Sequence, residues 1–152
     1  MRMQPDRLVV GDLRGPETFE LVQAMLGTCD GTVASITGEG AIAALNRFSA
    51  LAGLTAGGNT SSLREMIACA LDVVVHVVRF GDGSLRIVSI DEVSGTTETG
   101  FSVQNLFVHE ANGSFVAAGI VLLLAVWRAA KNLQGHAIAG AEVIAAALAR
   151  WH

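Results

Sequence analysis

The sequence predicts an α/β domain: parallel strands covered by helices, then an antiparallel meander, then a C-terminal helical tail. Three observations carry this. Short apolar runs ending near Val10 and Thr37 alternate with segments of helical spacing, the β-α-β-α order of a parallel, helix-covered sheet. From Asp72 onward three strand-like runs, DVVVHVVRF, LRIVSIDEVSG and FSVQNLFVHE, follow one another with short connections, as in a meander. Residues 120–152 are rich in Ala and Leu at helical spacing.

Each element has a local reason. The first strand is expected over residues 8–12, where Leu8, Val9 and Val10 run into a Gly-Asp turn. GPETFELVQAMLGT reads as a helix: Pro16 suits a first turn, Glu17 complements the N-terminal dipole, and Phe19, Val22, Met25 and Leu26 share one face. GTVASITG is a β-branched run bounded by glycines, so a second parallel strand is expected over 32–37. AIAALNRFSALAGL returns to helical spacing. LTAGGNTSS is turn-like, with Thr60, Ser61 or Ser62 available to cap the helix LREMIACAL, near Glu65. Strands over 72–80, 85–93 and 101–108 then form the meander, the first two joined by a tight Asp82-Gly83 turn. In the tail, Ile120, Leu123, Leu124 and Trp127 share one helical face and Ile138, Val143, Ile144 and Leu148 a second.

Composition narrows the function. A chain of 152 residues fits about one domain with a real core. It is 51% apolar, with a net charge of −4 and no basic tract, which disfavours nucleic-acid binding. Cys29 and Cys69 have no CxxC or His-spaced partner, so neither a disulfide framework nor a zinc site is expected, and a reducing cytosol is the simpler setting. The start MRMQPDRLVV has no secretory signal pattern. The apolar run of 13 residues, 115–127, is shorter than the ~20 that span a bilayer and reads as a buried segment.

The chemistry-bearing stretch is RLVVGDLRG. A buried parallel strand ending in an acid is where nucleotide-hydrolysing α/β folds hold Mg²⁺ or polarise water, because ligands gather at the carboxyl ends of such strands. Other candidates are weaker. His76 sits among valines with no second ligand at metal spacing and reads as a strand-face residue. Ser61 and Ser62 lack a surrounding G-x-S-x-G. Asp91 and Glu92 are adjacent on a strand, point to opposite faces and cannot act as an acid/base couple. Arg64 and Arg79 are expected on an exposed face or a subunit boundary.

Over residues 6–120 these pieces resemble a known family. RLVVGDLRGPETFELVQAM resembles the Walker B region of type II/IV secretion-system ATPases, especially the branch serving Tad/Flp pilus assembly and conjugal transfer. DGTVASITG, AALNRF, LREMIACALDVVVHVVRFGDGSLRIVSIDEVSG and FSVQNLFVHE follow in that family's order, and the stretch from Leu63 to Gly95 is the most specific. The resemblance implies a partial RecA-like P-loop NTPase domain: residues 1–119 as the C-terminal half of the motor domain, with 120–152 as an apolar helical tail. It implies hexameric rings at the cytoplasmic face of the inner membrane, with motor subunits and platform proteins as partners, and ATP with Mg²⁺ as ligands.

Carried over by position, Asp12 takes the Walker B acid, orienting the attacking water or holding Mg²⁺ through water. Arg14 takes the arginine of the same motif, able to stabilise phosphate charge or to pair with a neighbouring carboxylate. Thr37 falls where the family's His box has a histidine that senses the γ-phosphate, and Cys29 where a second histidine stands. Asp is shorter than the usual Glu, and threonine cannot change charge near pH 7. These residues contain no G-x-x-x-x-G-K-[ST]. FVAAGI at 115–120 matches the family's last phrase and VLLLAVW does not. The expected function is therefore the C-terminal portion of a secretion or conjugal-transfer ATPase, truncated and not competent alone. The alternative is a non-catalytic interaction module or pseudo-ATPase docking on a secretion motor.

Overall fold

Val9 and Val10 form β1 (Val9–Val10), which runs parallel to β2 (Val33–Ala34), with Val9 opposite Val33 and Val10 opposite Ala34. The structure, a computed structural model, describes residues 7–27, 31–57, 59–110 and 113–117. The two expected parallel strands are therefore neighbours, though each ladder is two residues long instead of five or six. Single backbone bonds extend the pairing: Val33 N donates to Leu8 O (2.9 Å), Ser35 N to Val10 O (3.0 Å) and Leu13 N to Ser35 O (2.9 Å). Regular pairing stops because Asp12 turns the chain with a φ of 54°.

Helix α1 (Glu17–Gly27) crosses from β1 to β2 and buries Thr18, Leu21 and Val22. The expected apolar face is thus rotated: Phe19 and Met25 are only partly buried and Leu26 is exposed. Helix α2 (Ala41–Ala56) buries Ala41, Leu45, Phe48, Ser49 and Ala52, and closes on Gly57 in the left-handed conformation of a C-cap. Helix α3 (Thr60–Ala70) buries Leu63 and Ile67, and its cap is Asn59, whose side chain accepts from Ser61 N at 3.0 Å. Thr60, Ser61 and Ser62 lie inside the first turn, so the expected caps are displaced by one residue.

The remaining strands form one antiparallel sheet in the order β3 (Val73–Arg79), β4 (Leu85–Thr96), β5 (Phe101–His109), β6 (Phe115–Ala117). The meander thus has a fourth strand beyond the three expected, with Phe107 opposite Ala117 and His109 opposite Phe115. The β3–β4 turn is built as expected: Asp82 accepts from Ser84 N (2.8 Å) and Ser84 Oγ (2.6 Å), and Gly83 has a φ of 83°. Those bonds hold the Asp82 carboxyl below its ordinary range.

One core joins these pieces. Leu13, Leu21, Val22, Leu45, Phe48, Ala52, Leu63 and Ile67 cluster with Val93 and Phe101; Leu8, Val10, Ala34 and Ile36 pack on from the first sheet, and Val74 and Val103 from the second. Among the described residues the two sheets are separate, and the helices bridge them. Gly38 enters α2 so closely that a Cβ there would lie 2.9 Å from N, Cα and Cβ of Ala44. The surfaces away from the core stay apolar: Val9 and Val33, directly opposite each other, are 78% and 62% exposed. The helical tail, the 119/120 boundary and Cys29 lie outside the described residues, among which no helix is long and apolar enough to cross a membrane.

Candidate functional site

The stretch Gly11–Pro16 leaves the carboxyl end of β1 and delivers the chain to the N-terminus of α1. Leu13 anchors it, being 2% exposed in the core, while its neighbours Asp12 and Arg14 project to the surface. Asp12 adopts a left-handed backbone, which Asp tolerates better than most residues, and its N–H donates to Ser35 Oγ at 2.8 Å. Leu13 N bonds the carbonyl of the same Ser35. The turn after β1 is thereby tied to the segment after β2, which leads two residues later to the exposed Thr37.

Arg14 Nη2 donates to the Asp12 carboxylate, forming an ion pair on the surface. The hydrogen bond, and then the charge of Asp12, raise the Arg14 guanidinium above its ordinary value. Both side chains are more than half exposed, so water screens the pair and it adds little to stability. Its geometry matters more: a carboxylate and a guanidinium are held together at the carboxyl end of a parallel strand, beside a helix N-terminus that favours negative charge.

Glu17 shapes the same turn. Its Oε1 accepts from Arg14 N and Gly15 N, both at 2.9 Å, while Thr18 Oγ1 donates to Gly15 O at 2.8 Å. The bond from Arg14 N, with those from its own N–H and Gly15 N, holds the Glu17 carboxyl below its ordinary value. A depressed folded-state pKa contributes stability that is complete above the unfolded value and is lost as pH falls through the folded one. Glu17→Gln keeps the acceptor but not the charge. The thermal midpoint of that variant, followed from neutral pH down through the carboxylate range, is expected to fall less steeply than that of the parent.

The donor set suits Mg²⁺ held through water, since that ion keeps several waters and needs only one or two carboxylates when phosphates complete its shell. It does not suit a cage built by protein alone, because the described residues contain no group of three or more His, Cys, Asp or Glu able to hold a metal. Nor do these residues form a glycine-rich loop with a lysine to cradle phosphates.

The other candidates lie apart. His76 is half-buried on β3. Arg79 donates to Gly83 O at 3.0 Å across the hairpin, and Arg64 borders a groove of about 330 Å³ between α2 and α3. Asp91 and Glu92 do face opposite ways: Asp91 is buried, accepting from Ser89 Oγ at 2.6 Å and from Asn105 Nδ2, while Glu92 is half-exposed. Sequence reasoning missed Ser35 as the tie and Glu17 as the residue that grips the turn. The acid at the third position after Arg14, the first residue of α1, was the available signal.

Comparison with known proteins adds the following. A family model described as "Type II/IV secretion system protein" matches residues 1–136. A conjugal transfer protein TrbB of Rhizobium radiobacter is 33% identical over 95 residues, covering 62% of this chain and 28% of that protein. A Mycobacterium tuberculosis protein named for conjugal transfer is 32% identical over 90 residues, 59% of this chain and 25% of its own length. The chain thus spans about a quarter of the length of the curated relatives it matches. Among solved structures, the VirB11 ATPase of the Brucella suis type IV secretion system superposes with a TM-score of 0.54 at 22% identity, over 59% of this chain and 28% of that one, a likeness of fold.

Proposed function

This chain belongs to the type II/IV secretion system protein family, and from that premise we propose that it supplies the Walker B half of an ATPase domain driving secretion or conjugal transfer. The observation that carries the reading is the Asp12–Arg14 pair at the carboxyl end of β1, fixed through Ser35 to the strand that leads to Thr37. In this role Asp12 orients the attacking water or the water shell of Mg²⁺, which supplies charge neutralisation to the phosphates when bound. Arg14 keeps the carboxylate aimed through the ion pair, and can turn to phosphate charge. Thr37 offers a hydroxyl where the γ-phosphate would lie. The phosphate-cradling loop lies outside these residues, and the working unit is a homo- or hetero-oligomer of motor subunits, cytoplasmic and at the inner-membrane face.

Steady-state phosphate release tests this. The purified chain alone is expected to bind Mg-ATP weakly and to show no turnover above background. Turnover is expected once a chain carrying a Walker A half of this family is added, and Asp12→Asn in the present chain is expected to abolish it. Turnover of the mixture that is indifferent to Asp12→Asn would remove Asp12 from the mechanism. A second reading, a non-catalytic module docking on a secretion motor, is favoured by the apolar outer surface of β3 and β4.

A further inference from the structure

Among the described residues, Asp12 is the one non-glycine residue with a positive φ, 54°. Asp adopts the left-handed backbone more readily than most side chains, yet such a conformation persists only where the surroundings hold it, and residues held in this way gather at functional sites. What holds Asp12 lies on the opposite loop. Its N–H donates to Ser35 Oγ at 2.8 Å, and the next amide, of Leu13, donates to Ser35 O at 2.9 Å. The two amides after that, of Arg14 and Gly15, donate to Glu17 Oε1, both at 2.9 Å. Four consecutive N–H groups thus end on two residues, so the amides of this turn are committed to fixing its shape and not to cradling an anion.

The two acceptors on Ser35 differ in what supplies them. A carbonyl is present whatever residue stands at position 35, whereas the oxygen that receives Asp12 N belongs to the side chain. The hydroxyl is therefore the part of the grip that the sequence controls, and it acts on the residue that carries the acid. These bonds run between the end of β1 and the segment after β2, within the described fold, so they stand whatever packs on the open edges of the two sheets.

We propose that Ser35 is a positioning residue for Asp12, a role that rests on the Walker B reading of that acid. Its hydroxyl fixes the left-handed backbone from which the carboxylate projects, so the acid meets the attacking water or the water shell of Mg²⁺ in one orientation. Ser35 acts through Asp12 and not on the nucleotide itself. Its loss therefore falls on the rate of the reacting complex and not on nucleotide affinity, since a misplacement of about 1 Å can cost about a hundredfold in rate.

Two measurements on the full chain test this. Residue-resolved amide hydrogen exchange by NMR reads the bond. Ser35→Ala is expected to speed exchange of the Asp12 amide about fivefold or more, while the Arg14 and Gly15 amides, held by Glu17, keep the parent rate. Ser35→Thr keeps a hydroxyl and is expected to keep the parent rate at all three. Steady-state phosphate release from the chain mixed with a Walker A half of this family reads the consequence. Ser35→Ala is expected to lower kcat about tenfold or more with KM for Mg-ATP unchanged, and Ser35→Thr to retain the parent kcat.

Equal exchange of the Asp12 amide in the parent and Ser35→Ala would overturn the inference at its geometry. Faster exchange of all three amides together would do the same, because the variant would then have lost local fold. A faster Asp12 amide with unchanged kcat, a rise in KM in place of a fall in kcat, or a Ser35→Thr variant no better than Ser35→Ala would overturn the positioning role and leave the Walker B reading standing. Absence of turnover in the parent mixture would instead remove the Walker B reading, and the role of Ser35 with it.

Discussion

Phe48→Ala is expected to remove about 3–5 kcal/mol of the stability of the molecule. Phe48 is 4% exposed at the middle of α2, in the cluster that holds α1, α2, α3, Val93 and Phe101 together. Truncating a buried Phe costs about 3–5 kcal/mol, since transfer energy is lost and the cavity collapses only partly. A domain of this size has about 5–15 kcal/mol in total. The loss is large here because, among the described residues, the two sheets are separate and this core joins them. Ile42→Ala, on the exposed side of the same helix, is the control and should cost well under half as much. Chemical denaturation followed by circular dichroism measures both, and equal midpoints would show that the core does not run through Phe48.

Gly38→Ala is expected to be damaging through a steric clash with α2. The added carbon would meet the N, Cα and Cβ of Ala44 at 2.9 Å, and two of those atoms are helix backbone that cannot rotate away. Either α2 shifts or the segment after Thr37 does, at a cost of about 1–3 kcal/mol. Gly11→Ala provides the contrast, because nothing lies within 4 Å of the methyl it would add. If the denaturation midpoints of the two variants coincide, the close approach of Gly38 to α2 is not what the structure describes.

The order of elements was legible in the sequence because each run carries its own period. β1, α1, β2, α2, α3 and the first three meander strands all lie where alternation or helical spacing put them. The errors arose where tertiary contacts outvote local pattern. Leu26 belongs to the apolar pattern of α1, yet the helix turns Thr18 and Leu21 inward because Leu13 and α2 occupy that side. Asn59 caps α3 although three hydroxyl residues follow it, since an Asx side chain one residue earlier reaches Ser61 N directly. Strand β6 was hidden in the apolar run from Phe115, where length suggested a buried segment and nothing local revealed β5 as its neighbour.

At the site, Asp12 was singled out as an acid closing a strand and Arg14 by family resemblance; their pairing with each other depends on the left-handed turn at Asp12, which no local pattern announces. Their mutual pairing leaves both alternatives for Arg14 physically sound. The roles of Ser35 and Asn105 were invisible, because each meets its partner, Asp12 or Asp91, over 23 and 14 residues of chain.

Ser35 has a consequence for how the two loops at the ends of β1 and β2 are held together. Its hydroxyl receives Asp12 N and its carbonyl receives Leu13 N, so one residue grips two consecutive amides of the opposite loop. The backbone of Asp12 is thereby held at a fixed place beside the segment that runs through Thr37 into α2, while its carboxylate stays free of Ser35 and turns with Arg14 alone.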